Sequence, residues 1–166
     1  MHQVGEKFMY GVHGVCSIID VETRRVDRKN VEYLVLAPVD QPSARFYVPA
    51  HNEIALSKLR PLLTREVVEC LLDAEATYTN CWIPDENRRK LRYRELINNG
   101  ERTELISMIR AVLQHRESQL SAGRKFHLCD ENFLRDAQKI LASDFSYILQ
   151  IPRNEAIAYI ENKLIK

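Results

Sequence analysis

The chain has 166 residues, 45% apolar and 28% charged, with a formal net charge of +1. That suits one mid-sized domain or two small ones of ordinary globular composition. No run approaches the ~20 consecutive apolar residues of a membrane span, and the first residues lack the apolar run of a signal peptide, so a cytoplasmic location is expected.

The four cysteines, Cys16, Cys70, Cys81 and Cys129, are scattered and form no C-x-x-C pair. In a reducing compartment they read as free thiols. His115 and His127-x-Cys129 match no standard zinc spacing, so no metal is expected.

The first sixty residues carry strand signals. Lys7 to Tyr10 is short and partly apolar. Val15 to Glu22 follows the turn residues His13-Gly14. Val31 to Leu36 is rich in β-branched and aromatic residues, and Arg45 to Val48 resumes the pattern. Asp27-Arg28-Lys29-Asn30 fits a hairpin tip. Four or five short strands at this spacing predict a small, bent sheet or barrel.

From Thr64 the apolar period becomes helical. Val67, Val68, Leu71 and Leu72 form a stripe behind Thr64 as N-cap. Pro84 is expected to open a second helix that Asn98-Asn99-Gly100 closes, with Tyr93, Leu96 and Ile97 inward. Thr103 is expected to cap a third helix and Asp130 a fourth, and Pro152 precedes a last short one. The predicted fold class is α+β: a β domain at residues 1–62, then an all-α domain of about five helices at 63–166.

No catalytic constellation is present. The chain has no G-x-x-x-x-G-K-[ST] loop, no G-x-S-x-G elbow and no H-E-x-x-H helix. It has only five glycines, few for a backbone phosphate cradle. Cys16 lies near His13 and His51, but a strand cysteine is ordinarily a buried apolar residue. The expectation is therefore a protein that is not an enzyme and uses no cofactor.

Charge is unevenly spread. From Arg88 to Lys125 there are ten Lys/Arg against four Asp/Glu. Such a block is the footprint of a phosphate-facing patch, although a solvated helical face is the plainer reading. Arg88 and Arg92 share one face of the helix, and Lys90 and Arg94 the neighbouring one. The only tryptophan, Trp82, stands just before this helix. A lone tryptophan is ordinarily a core or packing residue. Beside a basic helix it can also wedge or stack on bases.

The order of motifs resembles the CarD/CdnL family of bacterial RNA polymerase-binding regulators, whose RNA polymerase-interacting domain is shared with transcription-repair coupling factor. The matching N-terminal stretches are Gly5 to Tyr10, His13-Gly14-Val15, Glu22-Thr23-Arg24, Glu32 to Leu36, and Val48-Pro49-Ala50-His51-Asn52. Further on are Asn80-Cys81-Trp82 with the arginines after it, Leu120 to Lys125, and Asp136 to Leu141. The resemblance implies a Tudor-like β domain that docks on the polymerase β subunit. It also implies a helical domain at the upstream edge of the promoter bubble, where the tryptophan wedges into the minor groove and stabilises the open complex.

On that basis Trp82, Arg88, Arg89, Arg92, Arg124 and Lys125 are the candidate DNA-binding residues. Arg24, Arg45 and Tyr47 are the candidates for polymerase binding. The family often has an arginine directly before the Val-Pro pair; here Tyr47 stands there. Arg45, two residues earlier on the same strand face, is the candidate replacement. The alternative function is a protein-binding adaptor without DNA contact, in which Trp82 only plugs a domain interface.

Overall fold

The computed structural model describes residues 2–73 and 82–165. Asn80 and Cys81, quoted above, lie outside the described residues. Contacts divide the chain into two units, Met1–Leu62 and Leu63–Lys166. The overall class is α+β: a five-stranded antiparallel sheet, then helices.

The first unit contains β1 (Lys7–Tyr10), β2 (Val15–Val26), β3 (Lys29–Pro38), β4 (Phe46–Pro49), the short helix α1 (Glu53–Leu56) and β5 (Leu59–Pro61). The strand order is β4-β3-β2-β1-β5. Strands β2 and β3 run further than the apolar pattern suggests, because they meet at a two-residue turn. Asp27 and Arg28 both have positive φ, 49° and 65°. That geometry matches the right-handed twist of the flanking strands.

Directly paired residues share a face of the sheet. Ile18 pairs with Leu36, and Leu34 with Val48. These four, with Cys16 and Leu59, form the core of the unit. A register shift between Ile18 and Asp20 leaves Ile19 as a bulge. Beyond it, Glu22 pairs with Tyr33 and Arg24 with Val31, while Val35 pairs with Tyr47. These residues alternate with the core positions of β3 and β4. The bulge therefore sets which β2 side chains face away from the core.

The second unit contains α2 (Arg65–Asp73), α3 (Glu86–Asn99), α4 (Arg102–Ser121), α5 (Leu128–Leu149) and α6 (Arg153–Leu164). Its core is built from stripes at helical spacing, such as Leu105, Ile109 and Val112 on α4 with Leu134, Leu141 and Phe145 on α5. The helix ends differ from the sequence expectations in three places. Pro84 does not start α3; Asp85 is its N-cap and accepts a hydrogen bond from Arg88 N at 2.8 Å. Glu101, not Thr103, caps α4, accepting from Thr103 N and Glu104 N. Asp130 lies inside the first turn of α5, whose N-cap is His127. Gly100 closes α3 as expected, with a left-handed φ of 62°. No described helix is long and apolar enough to cross a membrane.

Candidate polymerase and nucleic-acid interfaces

In the first unit, two of the three candidates come together. The Arg24 guanidinium lies 3.8 Å from the centre of the Tyr47 ring. A cation over an aromatic face is an attractive arrangement. The same guanidinium donates to Glu22 Oε2 from Nε at 3.0 Å and from Nη2 at 2.8 Å. Arg24 and Tyr47 are both exposed. The result is a small mixed patch, cationic and aromatic, displayed away from the core.

Arg45 is exposed but sits one residue before β4 begins. Its Nη1 donates to the carbonyl oxygens of Pro42 and Ala44, the latter at 2.8 Å. The side chain therefore curls over its own turn.

In the second unit, the candidates separate into an exposed set and a buried one. Arg88, Arg92, Arg124 and Lys125 are exposed. Arg92 is engaged with Glu95 at 2.9 Å and Glu104 at 3.2 Å. Surface pairs of this kind are weak and exchangeable. Lys90, on the adjoining face, pairs with Glu86.

Arg89 corrects the sequence reading. Expected on the outer face, it is only 4% exposed. Its Nε donates to Asp130 Oδ1 at 2.8 Å and its Nη2 to Asp130 Oδ2 at 3.0 Å. Its Nη1 donates to the carbonyls of Ile83 at 2.8 Å and Pro84 at 3.3 Å. The fork of donors is thus spent on a carboxylate and on the backbone leading into α3. The cause is helical phase: Arg89, Tyr93 and Leu96 share the buried side of α3. Asp130, a cap by its sequence position, is instead the buried counter-ion that lets a charge occupy that side.

Trp82 sits over this pair. Arg89 Cζ lies 4.3 Å from the centre of its ring. His115, from α4, stacks on the indole with ring centres 3.6 Å apart and planes 13° apart. Phe126 follows at 6.4 Å from His115. Trp82 is half-buried, neither core nor fully exposed. In the sequence His115 suggests at most a metal ligand; the ring stack joins two residues 33 positions apart and leaves no local pattern. Burial lowers the His115 pKa, and the nearby Arg89 and His127 push the same way against Asp130. The imidazole is therefore held towards its neutral form.

Among the described residues, no group of three or more His, Cys, Asp or Glu side chains is placed to hold a metal ion. Cys16 is fully buried, and burial pushes its thiol up to about 11. A neutral thiol is a poor nucleophile and metal ligand, in keeping with its place in the core.

No curated protein matches the chain. Residues 2–61 match the family model described as CarD-like/TRCF RID domain. The match spans every strand of the first unit, including the patch that joins Arg24 to Tyr47. Residues 2–61 are thus similar to a CarD-like RNA polymerase-interacting domain, which supports a polymerase-binding role in transcription.

Proposed function

We propose that the chain is a transcription regulator that bridges RNA polymerase and promoter DNA. The first unit binds the polymerase β subunit through the face carrying Arg24 and Tyr47, with Arg45 as the additional charge. The helical unit meets DNA at the upstream edge of the bubble. There Trp82 wedges into the minor groove, and Arg88, Arg92, Arg124 and Lys125 contact phosphates. Phosphate contacts position such a protein without reading sequence.

The observation that supports the DNA part is the setting of Trp82. Its ring is outside the core, at the head of a helix whose accessible side bears Arg88 and Arg92. A large apolar ring fixed beside cations suits a partly unstacked duplex. Regulation would then be differential binding: the opened promoter is contacted better than the closed one, which shifts the equilibrium towards open.

A second reading, an adaptor without DNA contact, draws on the stack of Trp82 on His115. That contact already gives the indole a packing partner within its own unit. Salt-titrated binding of the full chain to a bubble-containing duplex separates the two. Affinity that falls steeply with salt supports DNA contact. Absence of binding at low salt favours the adaptor.

A further inference from the structure

We propose that His115 is a positioning residue for Trp82: the imidazole on α4 fixes the plane of the indole, while Arg89 anchors the backbone that carries it. Three observations converge on one ring. His115 lies parallel to Trp82 in stacking contact, at 3.6 Å and 13°. Arg89 Cζ is 4.3 Å from the ring centre. The same guanidinium holds the carbonyls of Ile83 and Pro84, the two residues directly after Trp82. Arg89 is itself immobilised by the Asp130 carboxylate.

A half-buried tryptophan preceding a helix has freedom in its backbone and about χ1 and χ2. Arg89 removes the first freedom through the two carbonyls. His115 removes the second by covering one face of the ring. The indole then meets a partner in one orientation, and less ordering entropy is lost when it binds. Arg89 comes from α3, its counter-ion Asp130 from α5 and His115 from α4, so all three helices must be packed before the ring is set.

The stack concerns the free protein and stands without DNA. Its consequence for the open complex rests on the wedge reading above. Trp82 is the only tryptophan, so fluorescence of the intact chain reports on this ring alone. His115→Ala should shift the emission to longer wavelength and raise quenching by acrylamide. His115→Phe, which keeps a flat ring, should stay at the wild-type values. Wild-type quenching in His115→Ala, or His115→Phe behaving like the alanine variant, would overturn the positioning role. In the promoter assay, His115→Ala should shorten the open-complex lifetime by about two- to ten-fold, the range that one aromatic contact provides. His115→Phe should restore it. If the fluorescence responds as stated and the lifetime does not, the stack stands and the wedge reading fails.

Discussion

Arg89 and Asp130 form a two-point ion pair, Nε to Oδ1 at 2.8 Å and Nη2 to Oδ2 at 3.0 Å, with both side chains buried. The pair ties α3 to α5 and builds the seat of Trp82. Removing one partner strands the other charge away from water.

Arg89→Ala should therefore destabilise the chain by about 3–5 kcal/mol. Asp130→Ala should cost a similar amount. Arg88→Ala, one position away on the exposed side, should stay within about 0.5 kcal/mol of wild type. Urea unfolding of the three variants checks this. The double variant Arg89→Met with Asp130→Leu should recover much of the loss, because two apolar side chains leave no unpaired charge. Equal stability of Arg89→Ala and Arg88→Ala would contradict the assignment.

The contact of Arg24 with Tyr47 makes a second prediction. Arg24→Glu reverses the charge on the exposed face and should weaken binding to the polymerase β subunit by about ten-fold or more. Tyr47→Ala removes the ring under the guanidinium and should weaken it less. Arg45→Glu tests whether that residue supplies the charge missing at position 47. If it leaves binding unchanged while Arg24→Glu abolishes it, Arg45 has no such role. Calorimetric titration with the isolated β-subunit fragment gives all three values.

The Cys16 thiol stays protonated in the fold well above its ordinary 9.0. In the unfolded chain it ionises at its ordinary value. Between pH about 9 and about 11 the folded state thus binds more protons, and this group's contribution to stability falls as pH rises. At pH 8 a thiol reagent should label Cys70, which is exposed, far faster than Cys16, which is buried. Denaturant should abolish the difference. Mass spectrometry of the labelled peptides gives both rates.

The strands and the helical stripes were legible because burial imposes a period on the sequence. Cys16, Ile18, Leu34, Leu36 and Val48 carry the core in the order that the pattern suggests. The bulge at Ile19 was not legible, since an inserted residue leaves no mark on composition. Its effect is large, because it shifts the face on which Arg24 emerges. In the helical unit the α3 stripe was read from its apolar members, Tyr93 and Leu96. Arg89 occupies the same stripe four residues before Tyr93, yet as a cation following Trp82 it ranks among the DNA-binding candidates. Charge suggested solvent, whereas helical phase suggested the interior, and Asp130 decided the outcome. His115 was missed for a different reason: a stack between residues on separate elements needs the tertiary fold.

Trp82→Ala tests the central claim most directly. The ring is half-buried and lies outside the core, so the variant should keep its fold and its affinity for RNA polymerase. Open promoter complexes formed with wild type and with Trp82→Ala are challenged with competitor, and the surviving fraction is followed in time. Loss of one stacked or wedged ring, at ~1–3 kcal/mol, should shorten the lifetime by about five-fold or more. Equal lifetimes, with polymerase binding intact in both, would contradict a wedge role for Trp82.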